Sequence, residues 1–322
     1  MTGAWQPSAS LDALRLRARL LARTREFFRE RDVLEVETPL AVARGVTDVQ
    51  IASLALTGPS PRYLHTSPEY AMKRLLAAGS GDIYQVSKVF RAEERSPLHN
   101  PEFTLVEWYR RDMSLPQIME ETALLAATLL GPQWPAAQAP VERLSYQQAF
   151  ARELDIDPLA AAEPELRHLC AQRGLAGAEA PSLTRDDLLD FLVATQIGPR
   201  LGRAALTLLH HYPASQAALA QLDADDPRTA LRFELYAGGV ELANGYVELA
   251  DVTEQARRFD ADRRQRRQRG LPDIEPDEKL LAALAHGLPR CAGVALGFDR
   301  VAMLAAGATR IDDVLAFAWE RA

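Results

Sequence analysis

Residues 84–110, YQVSKVFRAEERSPLHNPEFTLVEWYR, constrain the fold more than any other stretch. Both flanks alternate. Tyr84, Val86 and Lys88 share one parity; Phe103, Leu105, Glu107 and Tyr109 share another. Arg95, Ser96, Pro97 and Asn100-Pro101 form a polar loop between them. The pattern predicts two antiparallel strands joined by a long loop. Arg91 and Glu93 are expected on one strand face, Glu107 and Tyr109 on one face of its partner. Charge on the face of a central strand is costly unless a ligand or counter-charge meets it. The stretch therefore marks a polar site on a sheet.

A second hairpin is expected over residues 231–249. Gly238-Gly239 separates two alternating runs, a two-residue turn signal. That turn sets Glu241 opposite Tyr236 and puts Glu234 on the same face as Glu241. Two carboxylates on one face repel unless a cation joins them, so Glu234 and Glu241 are Mg²⁺ candidates. A solvated sheet face explains them equally well. Glu248 follows Glu241 at the same spacing.

Helices surround these hairpins. Ser10 caps a helix to Arg31, with Leu11, Leu14, Ala18, Leu21 and Phe28 at helical spacing. A strand over residues 33–38 follows, stopped by Pro39. Ser67-Pro68-Glu69 leads a helix over residues 70–78; Pro68 suits its first position and Glu69 its first turn. Capping alone would account for Glu69. Residues 112–131 form another helix, and residues 143–210 read mostly as short helices. The Arg-rich helix over residues 253–269 is better explained as a solvated face than as a docking surface for an acidic partner. Residues 292–300 read as a strand whose two glycines let other groups approach its backbone, ending at Arg300.

The 322 residues are 48% apolar and 25% charged, with a net charge of −7, which disfavours non-specific nucleic-acid binding. Two isolated cysteines imply neither a disulfide framework nor a zinc site. No run of eighteen apolar residues and no signal peptide is legible. The expected setting is cytoplasmic, away from the membrane.

Three segments in order carry a family resemblance. They are the helix–strand ending at Pro39, Phe90-Arg91-Ala92-Glu93 with Phe103 downstream, and Gly297-Phe298-Asp299-Arg300. They resemble motifs 1, 2 and 3 of class II aminoacyl-tRNA synthetases. Thr66-Ser67-Pro68-Glu69, the segment His99 to Thr104 and Glu241-Leu242-Ala243-Asn244-Gly245 are closer still to lysyl-tRNA synthetase. Motif 1 begins near residue 11, leaving no room for that enzyme's N-terminal anticodon-binding domain. The chain is thus similar to the family of short paralogues that lysylate elongation factor P. The resemblance implies an α+β fold, a six-stranded antiparallel sheet flanked by helices. It also implies one catalytic domain over residues 1–322 with a helical insertion at 143–210, a homodimer built on motif 1, and no anticodon-directed tRNA binding.

The same resemblance implies ATP and Mg²⁺ as cofactors, and lysine or (R)-β-lysine as the activated substrate. Arg91 and Arg300 would be catalytic. Glu93, His99, Asn100, Phe103, Glu241, Leu242 and Gly297 would join them around ATP, and Glu234 and Glu241 would hold the metal. Glu107, Tyr109 and Glu248 would surround the substrate's distant amine. Ser67, Pro68, Glu69 and Asn244 would take the amine nearer the carboxylate. Ala295 stands where lysyl-tRNA synthetases usually have glycine, a change that accompanies preference for (R)-β-lysine. Ala92 replaces a common asparagine. Two other readings compete: a truncated adenylate-forming synthetase, and a catalytically silent paralogue that binds an amino acid and regulates a partner.

Overall fold

A computed structural model describes residues 5–60, 62–178, 180 and 182–322. Helix α1 (Leu11–Arg29) starts where Ser10 Oγ accepts from Ala13 N at 3.1 Å, the expected cap. Its buried face is Leu20, Thr24, Phe27 and Phe28; Leu11 and Ala18, expected inside, face outward. Phe28 stacks on Tyr84 at 4.3 Å, inside as expected, while the rest of the buried face lies at Leu20, Thr24 and Phe27. The strand expected over 33–38 shrinks to β1 (Leu34–Glu35). Pro39, lacking an N–H, could not have extended it.

In chain order follow β2 (Ala41–Val42), β3 (Leu54–Leu56), β4 (Arg62–Leu64), α2 (Glu69–Ala77), β5 (Ile83–Phe90), β6 (Glu102–Arg111) and α3 (Leu115–Leu130). Next come β7 (Glu142–Ser145), α4 (Tyr146–Leu154), α5 (Glu163–Gln172), α6 (Arg185–Leu192), β8 (Thr207–Pro213), β9 (Thr229–Ala237) and β10 (Val240–Val247). The chain closes with α7 (Val252–Gln268), α8 (Glu278–Gly287), β11 (Cys291–Gly297) and α9 (Phe298–Ala305).

Among the described residues the main sheet has eight strands in the order β1-β5-β6-β11-β10-β9-β8-β7. This corrects the expected six-stranded antiparallel sheet. The inner six strands are antiparallel, and β1 and β7 join the edges in parallel. Those edge strands span two and four residues, too short for alternation to reveal.

Alternation decides what each sheet face carries. Tyr84, Val106 and Trp108 point into the main core with Phe28, Leu125, Phe233 and Phe298. Glu107 and Tyr109 therefore point to the opposite face. Helices α3 and α9 cover the core side, while α4 to α6 hold a separate core of Tyr146, Phe150, Leu188 and Leu192. Gly238 and Gly239 adopt φ of 60° and 82°, and Glu241 pairs with Tyr236 as the turn required. A bulge between Glu241 and Ala243 then places Asn244 opposite Glu234. No helix of the described residues is long and apolar enough to cross a membrane.

Candidate active site

A cleft of about 1200 Å³ lies over the face of β6, β11 and β10 that carries Glu107 and Tyr109. Its walls include α2, the loop between β5 and β6, the start of α9, and the Ala214–Gln216 turn. Cationic and anionic groups occupy opposite ends.

Arg91, Arg300, His99, Phe103 and Glu241 form the cationic end. Strand β5 stops at Phe90, so Arg91 lies on a turn. Its guanidinium sits 5.2 Å from the Phe103 ring centroid, and Nη1 donates to Glu94 Oε1 at 3.2 Å. Arg91 Nε is buried and has no partner, a donor available to an anion. Arg300 donates to the Glu241 carbonyl at 2.9 Å and contacts its carboxylate at 3.4 Å. Its Nη2 lies 2.5 Å from His99 Nε2, which must accept, so the ring proton belongs on Nδ1, 2.6 Å from Ser96 Oγ. Burial, then the Arg300 charge, holds the His99 pKa below its usual value. Burial and the neighbouring Glu234 push Glu241 above the usual carboxylate range, against the pull of Arg300, Arg232 and Arg91. Leu242 and Gly297 line this end.

Carboxylates build the other end. Ser67 Oγ and Tyr109 OH donate to the two oxygens of Glu107 at 2.7 and 2.8 Å. Tyr246 OH and Lys73 Nζ share Glu69 Oε1 at 2.8 and 2.6 Å. Lys73 Nζ also stands 2.5 Å from Glu248 Oε2. That contact is poorly directed: both Glu248 oxygens are buried without a well-formed hydrogen bond. Burial above all, with the Glu69 charge adding to it, pushes Glu107 up to about 8. Glu248 rises to about 8 through burial, opposed chiefly by Lys73. Gly293 permits this crowding: a Cβ there would lie 2.3 Å from Glu248 Oε1 and 2.4 Å from the Tyr109 ring. Ala295 sits on β11 between Glu107 of β6 and Asn244 of β10.

An anion clamp at one end and two buried carboxylates, Glu107 and Glu248, beside the half-buried Glu69 at the other suit a substrate that is activated at one terminus and cationic at the other. The family model described as tRNA synthetases class II (D, K and N) matches residues 5–321. The chain belongs to this class II synthetase family. The elongation factor P–(R)-beta-lysine ligases of Salmonella dublin and Photorhabdus laumondii subsp. laumondii are 47% and 48% identical to it over 328 aligned residues. Each alignment covers 100% of this chain and 99% of the relative.

Most of the class II residues expected from the sequence meet in the cleft, with three differences. Glu93 is exposed and off the cleft lining, where Glu94 takes its place. The reason is the turn over residues 91–95, closed by Glu94 N to Arg91 O and Arg95 N to Glu93 O, which ends strand alternation at Phe90. Glu234 also lies off the lining, engaged by Arg232 at 2.8 Å and Tyr236 OH at 2.7 Å. Asn100 lines the cleft, but its amide is taken: it donates to Glu102 O at 2.7 Å and accepts from Trp319 N at 3.1 Å. Ser67 serves Glu107 and only accepts from the Glu69 backbone N–H. Asn244 Oδ1 accepts from Arg232 at 3.3 Å. Pro68 is the N-cap of α2 rather than its first residue. Ala92 N donates to Ala52 O, tying this turn to the neighbouring loop.

Sequence reasoning missed Lys73, Tyr246 and Arg232. Lys73 follows Glu69 by four residues, a readable helical pair. Tyr246 shares strand parity with Glu248 and Asn244. The arginines of α7 are largely matched by this chain's own acids. Arg257 and Arg258 meet Glu254, Arg263 and Arg267 meet Asp273, and Arg269 meets Asp187. The face is only partly solvated: Arg266 is buried, Arg258, Arg263 and Arg269 are half-buried, and Arg257, Arg258 and Arg269 line the cleft.

Proposed function

We propose that this chain activates lysine or (R)-β-lysine with ATP and transfers the acyl group to a lysine side chain of elongation factor P. The observation that carries this is the pocket of Glu69, Glu107 and Glu248, the last two buried, lining one cleft with the Arg91–Arg300 clamp. Its relatives, elongation factor P–(R)-beta-lysine ligases, suggest the acceptor and favour (R)-β-lysine.

In the first step a substrate carboxylate oxygen attacks the α-phosphorus of ATP. The bond to the β-phosphate oxygen breaks, and pyrophosphate leaves. In the second, the acceptor amine attacks the acyl carbon, loses a proton, and AMP departs with the bridging oxygen. Arg91, with its unpartnered Nε, would hold the α-phosphate and the carboxylate; its planar fork suits both. Arg300 would face the terminal phosphates, with His99 kept neutral behind it. Phe103 would stack on adenine. The chemistry needs alignment and charge neutralisation more than covalent participation.

A single carboxylate with substrate phosphates can hold Mg²⁺, and Glu241 fits that requirement. Glu234 would have to leave Arg232 to join it. Mg²⁺ when bound would offset triphosphate charge. Among the described residues no group of three or more His, Cys, Asp or Glu side chains is arranged for a metal. The chain would act in the cytoplasm as a homodimer.

The test is pyrophosphate exchange with ATP and each lysine isomer, then transfer assays with tRNA and with elongation factor P. Isomer-dependent exchange and loading of the factor alone are expected. Loading of tRNA alone would favour the truncated-synthetase reading, and absence of exchange would favour a silent paralogue.

A further inference from the structure

Lysine is rare in this chain. Of its 37 lysine and arginine residues only Lys73, Lys88 and Lys279 are lysine. Lys73 is also the lysine whose side chain is buried, at 1% exposure, off the cleft lining but joined to Glu69 and Glu248, which line its anionic end. Burial alone would lower its pKa, but Glu248 and Glu69 outweigh that and hold it above its usual value. It is a permanent cation inside the region proposed to bind cations.

We infer that Lys73 is a specificity-determining residue, whose ammonium ties Glu69 to Glu248 and so sets the charge and spacing that admit a diamino acid. This rests on the reading of the cleft as a lysine-activating site. One Nζ touches Glu69 Oε1 at 2.6 Å and Glu248 Oε2 at 2.5 Å, so the two carboxylates cannot move independently. Their separation decides how far apart two substrate amines can lie, which is what distinguishes lysine from its β isomer.

Charge gives the second argument. Glu69, Glu107 and Glu248 ionised against Lys73 leave two negative charges. The two ammonium groups of a diamino acid match them. A mono-amino acid leaves one carboxylate without a cation, so that group stays protonated and its ion pair is lost. Arginine abounds elsewhere in the chain, yet its planar fork would hold the two carboxylates at another separation than a compact ammonium does. Lys73 is rigidly placed, because it rises from α2 one turn after Glu69.

Pyrophosphate exchange with both lysine isomers should be compared in the wild type, Lys73→Met and Lys73→Arg, with folding checked by circular dichroism. In Lys73→Met the amino-acid KM should rise on the order of 100-fold with the ATP KM within about twofold, and the kcat/KM ratio between isomers should move toward one. Lys73→Arg should recover most of the KM and keep the altered ratio. A folded variant with wild-type amino-acid KM and isomer ratio overturns the inference; if Lys73→Met does not fold, Lys73→Arg decides. Nitrogen-15 NMR of the wild type gives an independent arm. Saturating (R)-β-lysine should shift the Lys73 Nζ resonance, and an unchanged resonance overturns the inference. A wild type without lysine-dependent exchange instead defeats the functional reading beneath it.

Discussion

Ala295 faces Glu107 across the β6–β11 ladder, placing a single methyl beside the carboxylate that Ser67 and Tyr109 orient. Its neighbours on β11, Val294 and Leu296, turn their side chains into the core. Removing the methyl deepens the wall without touching a polar contact. Ala295→Gly should therefore change the ratio of kcat/KM between lysine and (R)-β-lysine by about 10–200-fold, the range for one methyl group, while ATP affinity stays constant. Exchange kinetics with each isomer measure it.

Glu248 is the carboxylate with the least satisfied oxygens in the cleft. Glu248→Ala should abolish lysine-dependent exchange while ATP still binds. It also strips a buried partner from Lys73, which should cost about 3–5 kcal/mol of stability. Calorimetry with ATP and a denaturant titration separate the two effects; normal exchange would remove Glu248 from the pocket.

Glu107 and Glu248 both sit near 8, far above the usual carboxylate value of 4.5. Below that value folded and unfolded chains are equally protonated, and these groups contribute their full stability. As pH rises from 4.5 toward about 8, the unfolded carboxylates ionise first and the unliganded fold loses stability. Substrate ammonium groups need the ionised forms, so the amino-acid KM should fall as pH rises through about 8, with proton release on binding. Thermal melts across pH and calorimetry in buffers of different ionisation enthalpy test both signs. A flat amino-acid KM would contradict this.

Arg300 and His99 share a hydrogen bond, and the arginine charge helps keep the imidazole neutral. Arg300→Ala should lower exchange by about 10²–10³-fold, typical for losing one donor to developing charge. It should also raise the His99 pKa. Proton NMR titration of His99 reads the second effect even where activity is gone.

Much of the site was legible in sequence because strand alternation and turn chemistry are local. Phe103, Glu107 and Tyr109 share one parity, and the Gly238-Gly239 turn set Glu241 against Tyr236 as expected. Glu93 was misplaced because alternation holds only while the chain remains a strand, and β5 ends at Phe90. Strand parity shows Glu234 on the face of Glu241 but not that Arg232, two residues away on the same face, meets its carboxylate.

By itself, then, the sequence determined the two hairpins, the helix caps, the chemical character of both ends of the cleft and the family. These depend on residue type and short spacing. Only the tertiary structure decided the eight-stranded mixed sheet, the outward turn of Glu93, and the union of Lys73 with Glu69 and Glu248. Those require knowing which segments meet in space: Lys73 lies on a helix and Glu248 just past the end of a distant strand, and no local period records that a single ammonium joins them.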